Sequence, residues 1–332
     1  MGEVRVGVIG AGAMGTSHVR TLAGWVPGAR VMSVYDADVS RAKEVASEVG
    51  ADVADSADAL ISSHDVDAVL IAAPDPLHEE LALACLVAGK PTLCEKPLAT
   101  SQAGSQRIVD AEVALGRRLI QVGFMRRFDP AFVELKAYLD SGQLGAARVV
   151  HCVHRNAQSH PTATSDGIVV NSMIHELDHL PWLLGEPLKA ITVVAPRVPD
   201  GALRDPQVAV IESASGVLAT VEVFVNARYG YDVQCEVVGE RGTARLTPPY
   251  GLSLRHDGGD GRQVSDDFVQ RFADAYRIEL SAWIASVQAG SPIGPSAWDG
   301  HRAILVATAG VESLHSGVPT EISDPEMPPL YL

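Results

Sequence analysis

The segment Gly10-Ala11-Gly12-Ala13-Met14-Gly15 constrains this 332-residue chain more than any other stretch. It follows an apolar, β-branched run from Val4 to Ile9 and leads into a helical pattern from Met14 to Trp25. The first glycine permits a tight turn, the second lets a pyrophosphate approach the backbone, and the third lets helix and strand pack closely. The start of the helix then offers uncommitted N–H groups to phosphate oxygens. Three glycines at this spacing are a weak signal alone. Between a strand and a helix they predict a dinucleotide site.

The first ~125 residues alternate short β-branched runs with helical patterns, as a parallel sheet covered on both faces requires. Val4–Ile9, Arg30–Tyr35, Ala68–Ala72, Pro91–Cys94 and Leu119–Gly123 read as strands. Met14–Trp25, Ser40–Val49, Leu77–Ala88 and Ser101–Leu115 read as helices. Asp129-Pro130 is a helix start, with Asp as cap and Pro at the first helical position. From Ala147 onward the strand-like runs are mostly consecutive, joined by turn residues such as Ser215-Gly216 and Arg241-Gly242, which predicts a largely antiparallel sheet. One helix, about Ser172–Leu184, interrupts them and ends at Gly185; two more are expected over Phe268–Ala289 and Trp298–Ser316. The fold class is therefore α/β: a doubly wound parallel domain of the Rossmann type over 1–125, and a second α/β domain with a mostly antiparallel sheet over 126–332.

Asp36 ends the second strand, 21 residues after Gly15, where a carboxylate binds a ribose 2′-hydroxyl and repels a 2′-phosphate. NAD is thus expected over NADP, although Arg41 stands close in sequence. Gly10, Gly12, Ala13, Met14 and Asp36 are the candidate cofactor contacts, with Ala73, Pro74, Glu95 and Lys96 at the ends of later strands. Carboxyl ends of parallel strands face the ligand crevice. Lys96, in Cys94-Glu95-Lys96-Pro97, is consequently aimed at the reacting end of the cofactor, where an ammonium stabilises a developing alkoxide. The plain alternative is a surface lysine in a loop.

His175 is the best candidate general base, because an imidazole exchanges protons near neutral pH. Asn171 lies four residues earlier, so a regular helix puts the two on one face. The same stretch, His175-Glu176-Leu177-Asp178-His179, also matches the helical HExxH zinc motif. A zinc hydrolase needs a third ligand and an open metal position. No downstream extension supplies one, Pro181 follows closely, and a dinucleotide domain has no part in proteolysis; no metal is expected.

Composition narrows the rest. Forty-one acidic against 26 basic residues give a net charge of −15, with no basic run, which argues against nucleic acid as partner. No apolar run approaches the ~20 residues that cross a bilayer, so no membrane partner is expected. The N-terminus carries no basic, cleavable leader pattern, and Val6 stands where myristoylation wants Ser or Thr. Cys85, Cys94, Cys152 and Cys235 sit in apolar stretches without CxxC pairing, which fits reduced thiols in a cytoplasmic protein.

With these residues assembled, the chain resembles the glucose–fructose oxidoreductase (Gfo/Idh/MocA) family, and within it the inositol 2-dehydrogenases. The resemblance rests on VGVIGAGAMG (Val6–Gly15), CEKPLA (Cys94–Ala99), GFMRRFDP (Gly123–Pro130), HCVHRN (His151–Asn156), IHELD (Ile174–Asp178), YGYDVQCEVVGERG (Tyr229–Gly242) and GPSAWDG (Gly294–Gly300). It implies NAD-dependent oxidation of a ring hydroxyl of a cyclic polyol, with Lys96 as catalytic lysine and His175 as acid/base. It also implies that Met125, Arg126, His154, Asn156 and Tyr231 line the substrate pocket, and that the outer face of an open sheet builds a homo-oligomer, a tetramer or dimer. One position departs: the inositol enzymes usually have Asp where this chain has Asn171. A neutral amide both donates and accepts, so it reads a different hydroxyl pattern, and loss of the anion lowers the proton affinity of a neighbouring imidazole. Another inositol isomer, an amino- or keto-inositol or another sugar is therefore an alternative substrate. A non-catalytic NAD- and sugar-sensing regulator is a second alternative, which the retained lysine and histidine argue against.

Overall fold

The computed structural model describes residues 2–247, 253–262 and 264–332. The chain forms two compact units, both discontinuous in sequence. Unit 1 comprises Met1–Phe128, Asp274–Ile304 and Pro325–Leu332; unit 2 comprises Asp129–Ala273 and Leu305–Asp324.

Unit 1 is built on six parallel strands: β1 (Val4–Ile9), β2 (Ala29–Tyr35), β3 (Asp52–Val53), β4 (Ala68–Ile71), β5 (Thr92–Glu95) and β6 (Ile120–Gly123). Their order is β3-β2-β1-β4-β5-β6. This is the doubly wound arrangement, whose strand order reverses between β1 and β4 and opens a crevice there. Strands β4, β5 and β6 are buried at every position, as strands covered on both faces must be. The crossovers are helices α1 (Ala13–Trp25), α2 (Val39–Val49), α3 (Ala57–Ser62), α4 (His78–Val87) and α5 (Gln102–Leu115). Asp38, Ser56 and Ser101 cap α2, α3 and α5 through their side chains, while Gly50 and Gly116 end α2 and α5 in the left-handed conformation. The short pair β3 and α3 carries too little periodicity to be read from sequence.

Unit 2 begins at α6 (Pro130–Asp140), with Asp129 as cap as expected. Its sheet contains β7 (Ala147–Arg155), β8 (Leu188–Val194), β9 (Gln207–Ser213), β10 (Leu218–Phe224), β11 (Asp232–Gly239), β12 (Gly242–Arg245) and a late β15 (Thr320–Glu321). The order is β12-β11-β7-β10-β9-β8-β15. Every pair is antiparallel except β7 with β10. Strand β9 alternates strictly between buried and exposed residues, the signature of a sheet with one covered face. A separate hairpin, β13 (Ser253–His256) with β14 (Gly259–Arg262), was not expected.

The helical run inside unit 2 differs from the expected single helix over 172–184. A short turn, α7 (Ser165–Gly167), leads into a wide π-helical turn over Ile168–Met173, and α8 follows over Ile174–Leu184. Gly185 ends α8 as expected, at φ 72° with its N–H on the carbonyl of Pro181. The last helices are α9 (Phe268–Arg271), α10 (Ala273–Ala289) and α11 (Ala297–Ser316). Phe272 breaks the expected helix 268–289 in two. Leu280, Trp283 and Ile284 of α10 join the core of unit 1 with Val6, Val8, Leu22 and Leu70. Each such side chain contributes roughly 1.5–3 kcal/mol on burial. Among the described residues, no helix is long and apolar enough to cross a membrane.

Candidate active site

In unit 1 the candidate residues lie at the carboxyl ends of neighbouring parallel strands. Gly10 has φ +100°, and a Cβ there would stand 2.3 Å from the carbonyl oxygen of Ala72. A Cβ on Gly15 would stand 1.8 Å from the carbonyl oxygen of Gly10. Both must therefore be glycine. A Cβ on Gly12 would meet nothing within 4 Å, so that glycine keeps open the space a pyrophosphate needs. Helix α1 starts after Gly12 without a side-chain cap, which leaves its first-turn N–H groups around Ala13 and Met14 for an anion. Asp36 holds this turn from the end of β2: its Oδ2 accepts from the Ala11 N–H at 2.7 Å and its Oδ1 from the Asp38 N–H at 2.8 Å. Arg41 stands beside it, with Nη1 3.7 Å from Oδ2. An uncapped helix start, an open glycine and a carboxylate on the next strand fit a dinucleotide without a 2′-phosphate.

The next strand ends bring in the remaining candidates. Ala73 and Pro74 follow β4, and Glu95 ends β5. The Lys96-Pro97 peptide is cis. Glu95 is buried; its Oε1 lies 2.7 Å from His18 Nε2, on α1, and its Oε2 accepts from the Lys96 N–H at 3.2 Å. Burial pushes this carboxyl up, but the His18 hydrogen bond and the Lys96 charge outweigh it and hold Glu95 below the ordinary carboxylate value. Gly123 on β6 leaves room for the carboxylate, since a Cβ there would stand 3.0 Å from Glu95 Oε2. Met125 and Arg126 follow in a 3-10 turn over Met125–Phe128, and both are buried.

Unit 2 holds the other candidates. His154 on β7 and His175 on α8 have ring centroids 6.1 Å apart. Tyr231, just before β11, packs edge-on against His154 at 5.7 Å and brings its hydroxyl to 3.4 Å from His154 Nε2. On the other side, His154 Nδ1 lies 3.3 Å from the Glu176 carboxylate, and neither group is more than 3% exposed. Phe268 and Phe272 back the Tyr231 ring. Asn156 extends just past β7, its N–H donating to the carbonyl of Phe224 at 2.9 Å. Asn171 does not follow the expected geometry. It lies in the wide turn and is exposed, whereas His175 is buried, so the regular-helix argument for one shared face does not apply to them.

The HExxH stretch also separates. His179 directs Nδ1 to the carbonyl of His175 at 2.9 Å and places Nε2 3.7 Å from Cys152 Sγ. Cys152 in turn lies 3.8 Å from Cys235, its cross-strand partner. The two histidines of the motif thus face different surroundings. Glu176, His18 and the aromatic backing at Phe268 and Phe272 were not singled out as site residues from sequence. The signal that could have found Glu176 is its place next to the candidate base His175, inside the HExxH match.

Comparison with known proteins matches this organisation. The family model described as an oxidoreductase family with NAD-binding Rossmann fold matches residues 4–124, and that of its C-terminal alpha/beta domain matches 136–322. Inositol 2-dehydrogenase 1 of Saccharopolyspora erythraea is 49% identical, and an inositol 2-dehydrogenase of Burkholderia cenocepacia is 44% identical, each over 99% of both chains. Among solved structures, the myo-inositol dehydrogenase of Lactobacillus casei in complex with NAD(H) and myo-inositol superposes with a TM-score of 0.95. It is 36% identical, over 99% of this chain and 100% of that one. With both of its domains accounted for, the chain belongs to the Gfo/Idh/MocA oxidoreductase family and is an NAD-dependent dehydrogenase.

Proposed function

We propose that this enzyme oxidises a ring hydroxyl of an inositol to the keto-inositol, with NAD as the acceptor. The observation that carries the reading is the 49% identity to an inositol 2-dehydrogenase over 99% of both chains. Bound NAD supplies the hydride acceptor, held by the Gly10–Gly15 turn, Asp36, and the strand ends at Ala73, Pro74 and Glu95. His175 takes the hydroxyl proton, and the Lys96 ammonium stabilises the negative charge that develops on the oxygen. His154, Asn156, Tyr231, Met125 and Arg126 supply the polar and apolar contacts to the polyol ring. The close packing of His154, His175 and Tyr231 supports this grouping, and Asn171 stands exposed on the wide turn before them.

Asn171 favours a second reading within the same chemistry, in which another inositol stereoisomer, an amino- or keto-inositol or another sugar is preferred. An NAD-reduction assay over myo-, scyllo- and chiro-inositol and common hexoses separates the two. Lys96→Met is expected to be inactive on all of them, and a variant with wild-type turnover would refute the lysine's role. Asn171→Asp is expected to move the substrate profile toward myo-inositol; an unchanged profile would show that position 171 does not set specificity.

A homo-oligomer in the cytoplasm completes the proposal. Val194, Val208, Val210 and Leu218 stand on the outer face of the unit 2 sheet, at least 36% exposed, and Val194 pairs directly with Val208. An apolar patch on a sheet face is a surface that association covers.

A further inference from the structure

We infer that His78 is a positioning residue: its ring bridges the backbone carbonyls of Ala73 and Pro97, and so locks the loop after β4 to the turn that carries Lys96. His78 is the first residue of α4 and is only 1% exposed. Its Nδ1 lies 2.7 Å from the carbonyl oxygen of Pro97, and its Nε2 lies 2.8 Å from that of Ala73. A carbonyl oxygen only accepts, so the ring is held in this bridge through an N–H.

The chain around His78 is built to make this reach. Pro74 and Pro76 stiffen the link out of β4, and a 3-10 turn over Asp75–Leu77 delivers His78 to the helix start. The ring then folds back over that turn to Ala73. The Pro97 contact spans 19 residues of sequence and joins a second strand end. On the other flank of the lysine, Glu95 holds the Lys96 N–H while bonded to His18. The Lys96-Pro97 segment is therefore gripped on both sides, by a carboxylate at its N–H and by an imidazole at its carbonyl. The loop at Ala73 and Pro74 is tied to the same imidazole, so cofactor contact and lysine hold one spacing.

The functional part rests on the proposed roles of Lys96, Ala73 and Pro74; the bridging contact stands on geometry alone, and the tests separate the two. Three variants with intact NAD-induced thermal shifts are compared: His78→Phe keeps a ring without donors, His78→Gln keeps one donating group, and Lys96→Met reports on the lysine itself. Loss of near-attack geometry by about 1 Å costs on the order of 100-fold in rate. For His78→Phe we expect kcat to fall roughly 10- to 100-fold while the NAD dissociation constant stays within about threefold, with His78→Gln between it and wild type. A His78→Phe enzyme that binds NAD normally and turns over within twofold of wild type overturns the positioning role. Should His78→Phe not fold, the kcat of His78→Gln carries the same decision.

Nitrogen-15 NMR of histidine-labelled wild-type protein, assigned by difference with His78→Gln, reads the clamp directly. A ring N–H of His78 that is hydrogen-bonded and protected from solvent exchange is expected; a freely exchanging ring N–H overturns the bridging contact. An active Lys96→Met enzyme with that N–H still protected would instead refute the lysine's role and leave the clamp standing.

Discussion

Removing the Asp129 side chain should destabilise unit 2 by more than any helix cap alone can account for. Asp129 works at two places with two oxygens. Its Oδ1 accepts from the N–H groups of Ala131 and Phe132 at 3.1 and 3.2 Å, capping α6. Its Oδ2 accepts from Arg271 Nη1 at 2.9 Å, and both side chains are only 6% exposed. A lost cap costs about 1 kcal/mol. Breaking a buried ion pair from one side costs about 3–5 kcal/mol, because the remaining charge stays buried. Asp129→Ala should therefore lose about 4–6 kcal/mol, and Asp129→Asn, which keeps a cap acceptor, nearer 3 kcal/mol. For a unit of this size a kilocalorie moves the melting point by about 2–4 °C. Circular dichroism melts should accordingly show drops of about 8–24 °C for Asp129→Ala and smaller ones for Asp129→Asn. The double variant Asp129→Ala with Arg271→Met should melt above Asp129→Ala alone, since an apolar side chain removes the stranded charge. An Asp129→Ala protein melting within about 2 °C of wild type would refute the assignment of the pair as a buried, energetically coupled contact.

Four further outcomes follow from the cofactor unit. Gly12→Ala should leave the melting point without NAD unchanged, because its Cβ enters open space, yet abolish the stabilisation that NAD confers; a full NAD-induced shift would count against the pyrophosphate cradle. Asp36→Ser should raise the NADP-to-NAD ratio of kcat/KM at least about tenfold, equivalent to ~1.4 kcal/mol of relieved repulsion, and an unchanged ratio would deny Asp36 its role in selection. In His18→Leu, only Lys96 is left to oppose the effect of burial on Glu95. The wild-type carboxyl is held low, so its stabilisation is present above the usual carboxylate range and is lost only as pH falls below about 4; the variant should unfold at higher pH in an acid titration, and an identical acid midpoint would refute the pairing. Burial pushes the Cys85 thiol up to about 11 and Cys94 well above its ordinary value, so iodoacetamide at pH 8 should label both only after denaturation, as read by peptide mass spectrometry.

The features legible in the sequence are those whose physical cause is local. The glycine turn announces itself because Gly10 and Gly15 sit where any Cβ would collide with a carbonyl. Asp129-Pro130 announces α6 because the cap and the proline act within one turn. Strand β9 is legible because one covered face imposes strict alternation. The unread parts depend on distant partners. Nothing in the periodicity of α10 says that Leu280, Trp283 and Ile284 join the core of the N-terminal sheet. The His18–Glu95 contact spans 77 residues and His154–Tyr231 also 77, so spacing carries no trace of either. His154 and Tyr231 become candidates only through the family resemblance, and Glu176 draws notice only within a zinc pattern that the sequence itself sets aside.

Asn171 shows the same division most sharply, and it bears on how such an enzyme changes substrate. The identity of residue 171 is plain in the sequence, but the wide turn that carries it is not, because the pattern of the buried residues Ile168, Val169 and Met173 reads no differently from that of an ordinary helix. Those apolar neighbours are buried and Asn171 is exposed. A change of Asp to Asn there alters charge and donor count at an exposed position. His175, one turn later and buried beside His154, has no such freedom. On this reading the hydroxyl chemistry is fixed in the packed part of the helix and the choice of polyol is placed on its exposed lead-in. Asn171→Asp should then shift the preferred inositol with little effect on melting temperature, whereas His175→Asn should cost turnover on every substrate.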